Sequence, residues 1–202
     1  MKTAENILKK KKWIKDEINY RRPEISDKVW REAHILLNEI LNKYSDVTNG
    51  ERMHTDEYIF PSAAIYLTLK KYIGSREAYD IIETSAAKKS TETGKSIAKL
   101  MRIPGMKSLF VKIWDPLTKK MFGESSGFKN TYYPKQKGSY RMDIIQCPYN
   151  KYLTLLGCPE LNKIFCENDE RCYGNLPGIE FKRTTTIGKG GSVCDFYIGI
   201  KK

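Results

Sequence analysis

The chain has 202 residues, of which 40% are hydrophobic and 30% charged. That length fits one domain, or one domain with a helical extension, and buries about 70% of its unfolded surface without help from a metal or disulfide. The composition excludes a disordered tail, and no apolar run approaches the roughly 18 residues that a spanning helix needs.

Basic residues outnumber acidic ones 36 to 24, a formal net charge of +12. The densest run is Lys9–Lys12, and pairs recur at Lys70-Lys71, Lys88-Lys89 and Lys119-Lys120. These pairs sit beside helical apolar residues, so they read as solvated helix surface behind a basic leader. A nucleic-acid partner is disfavoured, because no recognition motif accompanies the charge. A membrane partner is not expected. The N-terminus lacks the apolar core and small-residue cleavage site of a signal peptide, so the expected compartment is the cytoplasm.

Residues 1–20 are expected to form a frayed basic helix, with Ile7, Leu8, Trp13, Ile14 and Ile18 on one side and Pro23 as its end. Ser26 would cap the next helix. In it Val29, Trp30, Ala33, Leu36, Leu37, Ile40, Leu41 and Tyr44 recur at three- and four-residue spacing, an amphipathic pattern. Residues 45–56 read as a polar loop turning at Asn49-Gly50. A third helix starts near Pro61 and stops at Gly74. A fourth follows Ser75, with Gly94 as an interruption. Pro104-Gly105 breaks the chain before a helix carrying Leu109, Phe110, Ile113, Trp114, Leu117 and Met121, which Gly123 ends.

The period then changes. Residues 140–147 read as a strand, 149–156 as a short helix and 159–172 as a helix and loop. Residues 179–187 alternate, with Ile179, Phe181, Arg183, Thr185 and Ile187 on one face. Gly188–Gly191 is a turn. In 192–200, Cys194, Phe196, Ile198 and Ile200 share one face, with Val193, Asp195 and Tyr197 on the other. The expected class is α+β: a helical N-terminal layer packed on a small, mostly antiparallel C-terminal sheet. The expected division is a leader (1–22) and a single domain (23–202), helical over 23–123 and sheet-rich over 139–202.

Gly188–Gly191 lacks phosphate-loop spacing and leads into a strand, so it is not read as a phosphate site. The only histidines, His34 and His54, have no partner at ligand spacing. The five cysteines, Cys147, Cys158, Cys166, Cys172 and Cys194, all lie in the last 56 residues of the chain. No Cys-x-x-Cys pair exists, which disfavours a zinc ribbon. If the last strands stack beside residues 140–147, then Cys147, Cys166, Asp169 and Cys194 converge. Three readings stay open: inert buried thiols, a reactive thiolate beside Arg183 or a lysine, or a metal held by Cys147, Cys166 and Cys194. No cofactor other than such a metal is indicated.

The stretch CPYNKYLTLLGCPELNKIFCENDE, followed by PGIEFKRTTTIGKGGSVCDF, resembles the L-2-amino-thiazoline-4-carboxylic acid hydrolase family. The marks of that resemblance are Cys147 closing a strand, Cys166 and Asp169, Phe181-x-Arg183-x-x-Thr186, Gly190-Gly191, and Cys194-Asp195-Phe196. Residues 66–82 look like the family's upstream helices, and the likeness spans roughly 60–200. It implies a small-molecule substrate, a cyclic isothiourea bearing a carboxylate, and hydrolysis of a non-peptide C–N or C–S bond. Such chemistry asks for a nucleophile at C2, a proton donor for the leaving atom and a cation for the carboxylate. Cys194, Cys147 and Cys166 are the candidate nucleophiles, Asp169 and Asp195 the acid–base candidates, and Arg183 the carboxylate partner. Because Cys194 and Asp195 alternate in a strand, they should point to opposite faces. Asp195 is thus equally a structural partner for Arg183 across the sheet. A non-catalytic ligand- or metal-binding module with a cysteine-lined pocket is the alternative, and a homo-oligomer is left open.

Overall fold

The computed structural model describes residues 3–201. Two short helices, α1 (Ala4–Lys9) and α2 (Lys12–Arg21), open the chain. They are docked, not frayed. Ile7, Leu8, Ile14 and Ile18 are fully buried against the helices that follow. Each such side chain contributes up to about 1.5–3 kcal/mol by leaving water.

Helix α3 (Pro23–Lys43) is separated from α2 by Arg22 alone, with Pro23 in its first turn, where the missing N–H costs nothing. It buries Val29, Ala33, Leu37, Ile40 and Leu41. Ser26 is therefore inside the helix and not its cap; its hydroxyl is buried without a partner. The expected loop over 45–56 is also replaced by structure. Thr48 and Glu51 form a reciprocal capping box that starts α4 (Asn49–His54). That pattern satisfies two orphan N–H groups at once. A π-helical turn, Thr55–Ile59, follows. It feeds α5 (Phe60–Leu100), which kinks at Gly74, where φ is 78° and ψ 169°.

Gly94 does not interrupt α5. It permits a close approach: a Cβ there would meet the Arg171 carbonyl oxygen at 2.5 Å. Helix α8 (Asn162–Tyr173) crosses α5 at that point. Gly94→Ala should therefore force the two helices apart, at a cost of about 1–3 kcal/mol. Thermal unfolding checks this, with the Tm expected to fall by roughly 2–4 °C per kcal/mol.

Helix α6 (Met106–Met121) leads to β1 (Lys129–Tyr132), β2 (Ser139–Gln146), α7 (Pro148–Leu155), then α8, β3 (Ile179–Lys182) and β4 (Cys194–Ile200). The sheet order is β1-β2-β4-β3, antiparallel throughout. Helices followed by a small antiparallel sheet make the protein α+β. The first strand has no alternating apolar signal, and its residues are mostly exposed. β3 stops at Lys182, well short of the expected 187.

Two apolar clusters form. One joins α1, α2, α3 and α5 to α7 and the start of α8. The other clamps Val111 and Trp114 of α6 onto Met142, Phe196 and Ile198 of the sheet. Trp114 and Phe196 rings lie 5.2 Å apart.

Candidate functional site

A cavity of about 530 Å³ draws its walls from both clusters. Cys147, Cys166, Asp169, Arg183 and Cys194 all line it. Each arrives by a different local rule. Cys147 closes β2 in extended backbone and is the N-cap of α7. Cys166 and Asp169 lie three residues apart on α8, so they share one helix face. Arg183 follows β3, where the chain leaves the sheet. Cys194 opens β4 opposite Ile144 of β2.

Asp195 explains how the chain leaves the sheet. It pairs across from Asp143 on β2 and faces away from the cavity, into an open groove with Arg141, Lys182 and Thr184. Its carboxylate accepts the N–H of Thr184 at 2.9 Å, the N–H of Thr185 at 2.7 Å and the Thr184 hydroxyl at 2.6 Å. Burial would raise its pKa, but these donors outweigh that and hold it below the usual aspartate range. The structure thus turns Asp195 away from the cavity that Cys194 lines. It also gives Arg183 a different partner from the one expected across the sheet.

That partner is Asp169. Arg183 Nη1 donates to Asp169 Oδ2 at 2.7 Å, and Nη2 donates to the Cys166 carbonyl oxygen. The Arg183 side chain is 4% exposed, and its Nε is buried without a partner. Asp169 keeps 41% of its side chain accessible, and it lines the cavity. Enclosure raises its pKa, Arg183 pulls it down, and the net result is above the ordinary value.

The thiols are all pushed up by burial. Cys147 reaches about 12, with the N–H groups of Asn150 and Tyr149 offsetting only part of the rise. Cys166 is raised less, because the Thr186 hydroxyl and Arg183 favour its thiolate. Cys194 is raised too, while its sulfur accepts the Ile187 N–H at 3.2 Å. Cys172 also lines the cavity and donates to the Ser90 carbonyl at 3.4 Å. Cys158 is sealed in the helical core. All five are free thiols. Among the described residues, no three His, Cys, Asp or Glu side chains are disposed to hold a metal ion. The metal reading of Cys147, Cys166 and Cys194, one of the three that the sequence leaves open, finds no support in this arrangement. These sulfurs share a cavity without forming a ligand set.

A model of the L-2-amino-thiazoline-4-carboxylic acid hydrolase family matches residues 52–198. The chain belongs to this family. No curated protein and no solved structure matches it significantly. The matched span holds every cavity residue named so far and stops short of α1, α2 and α3.

Four cavity residues of this family member escaped the sequence reading. His54, at the end of α4, donates from Nε2 to the Met121 carbonyl at 2.7 Å, since a carbonyl can only accept. Its Nδ1 then accepts the Tyr149 hydroxyl at 3.1 Å. Burial lowers the His54 pKa, which fits this neutral form. Lys11 and Glu57 line the same cavity. The Thr48-x-x-Glu51 capping signal could have placed His54 on a helix. Lys11 falls in register with Ile7, Ile14 and Ile18, which marks it as inward-facing.

Among the described residues, no helix is long and apolar enough to cross a membrane.

Proposed function

We propose that this chain is a hydrolase that opens a small cyclic amidine-like carboxylate of the 2-aminothiazoline type, through a cysteine-centred site. The observation that carries the reading is the meeting of Cys166, Asp169 and Arg183 on one cavity wall, with Cys147 and Cys194 beside them. The family's substrate class supplies an electrophilic C2 bonded to sulfur and two nitrogens.

Cys166 is the nucleophile in this reading. It shares a helix face with Asp169, and the Thr186 hydroxyl and Arg183 favour its thiolate, while the Cys147 thiol is pushed to about 12. A protonated thiol needs a base as it attacks. Cys166 Sγ bonds to C2 while its proton passes to Asp169. The tetrahedral centre collapses, one ring bond at C2 breaks, and Asp169 returns the proton to the departing nitrogen or sulfur. Water then attacks C2, giving a proton to Asp169. The Cys166 S–C2 bond breaks, and that proton restores the thiol. The sum is one water added and one ring bond lost. Arg183 is a positioning residue that keeps Asp169 ionised and aimed. Asp195 shapes the turn that brings Arg183 inward. The five free thiols fit the reducing environment of the cytoplasm.

The test is incubation of the purified chain with 2-aminothiazoline-4-carboxylate, followed by mass spectrometry. The expected product has gained one water. A ligand-binding module without turnover is the second reading, favoured by the raised thiols; it predicts bound ligand of unchanged mass.

A further inference from the structure

Lys11 lies in the middle of the basic run, where lysines ordinarily point to solvent. Here it is only 6% exposed, between the buried Ile7 and Ile14. It lines the cavity that holds Cys166, Asp169 and Arg183. Its Nζ sits 4.8 Å over the Tyr58 ring, another wall of that cavity. Burying an ammonium is costly unless an anion or a π-face meets it.

The cavity needs a cation in addition to Arg183. Arg183 is already engaged with Asp169 and the Cys166 carbonyl. A substrate carboxylate entering beside Asp169 meets a like charge. Glu57 on the same wall is paired with Lys10 at 3.0 Å. Lys11 is the buried ammonium of this wall. We propose that Lys11 is the specificity residue of the cavity, and that its ammonium recognises the carboxylate of the substrate. This rests on the hydrolase reading above and refines it, moving acid recognition from Arg183 to a residue outside the family-matched span of 52–198. Burial lowers the Lys11 pKa to about 8, with Glu57 opposing and Lys10 reinforcing the shift. The group is still largely cationic at neutral pH.

The variants are Lys11→Met, which keeps the stem and removes the charge, and Lys11→Arg, which restores a cation. Replacing a buried charge by an apolar side chain of similar volume is often neutral or stabilising, so the Met variant should fold. Lys12→Met is the control, since Lys12 is exposed and pairs with Asp16. Two measurements run in parallel. One compares KM for 2-aminothiazoline-4-carboxylate and for 2-aminothiazoline without the carboxyl. The other is calorimetric binding of thiazolidine-4-carboxylate, which has the acid group but no amidine carbon.

Lys11→Met should raise KM for the acid substrate and weaken thiazolidine-4-carboxylate about tenfold or more. It should change the carboxyl-free compound much less, and Lys11→Arg should recover part of the loss. If neither thiazoline is opened but thiazolidine-4-carboxylate binding still depends on Lys11, the hydrolase reading fails and the recognition role stands. Equal losses for acid and carboxyl-free ligands, unchanged binding in Lys11→Met, or no binding of the acid to the unaltered chain would each overturn the proposal.

Discussion

Asp169→Asn is expected to lower kcat by about 10²–10⁴-fold, the usual contribution of a positioned acid–base group. The substitution keeps the side-chain shape and removes the proton acceptor for Cys166. It also leaves the buried Arg183 charge with only the more distant Glu170 carboxylate, 3.9 Å away. Losing one partner of a sealed pair costs about 3–5 kcal/mol. Asp169 is 41% accessible, so water can replace it in part and the stability cost should be smaller. Thermal unfolding beside steady-state kinetics separates the two effects. A rate loss no larger than the unfolded fraction at the assay temperature would remove Asp169 from the chemistry.

The pH profile gives an independent reading of the same group. Its folded pKa is raised, so ionised Asp169 is a small liability to the fold. The stability it gives is fully present below the unfolded value near 3.9 and is lost as pH rises through the folded one. Activity runs the other way, because the base must be ionised. The acid limb of kcat/KM should therefore lie above the ordinary aspartate range. Arg183 lowers the Asp169 pKa, so Arg183→Met should move that limb to higher pH. A merely structural arginine would change the amplitude and leave the limb in place.

Cys166→Ser is the second large effect. Serine is a far weaker nucleophile at neutral pH, and turnover should fall by about 10³-fold or more. Cys194→Ser and Cys147→Ser should cost much less, since neither residue shares the α8 face that carries Asp169. Comparable kcat in all three variants would take the covalent step away from Cys166. A loss confined to Cys194→Ser would transfer that step to β4.

The apolar faces were readable in advance. Val29, Ala33, Leu37 and Leu41 of α3 and Phe196 and Ile198 of β4 are buried as their spacing requires, because periodicity reports a face directly. The meeting of Cys147, Cys166 and Cys194 depended on strand order. Once β2 pairs β4, Ile144 sits opposite Cys194, and α8 closes the space between them. Asp195 shows the limit of residue type as a guide. An aspartate beside a cysteine looks catalytic, yet strand alternation sends it outward to hold the Thr184–Thr185 turn. Lys11 and His54 were hidden for another reason. Charge runs and polar stretches read as solvated, and the lysines on either side of Lys11 mask the apolar register that turns it inward.

The most direct measurement is intact-protein mass spectrometry on the chain quenched during turnover of 2-aminothiazoline-4-carboxylate, with peptide mapping of any adduct. The account predicts a substrate-derived adduct on the peptide containing Cys166, absent from Cys166→Ser together with the ring-opened product. Ring opening that proceeds undiminished in Cys166→Ser, with no adduct on any cysteine, would contradict it.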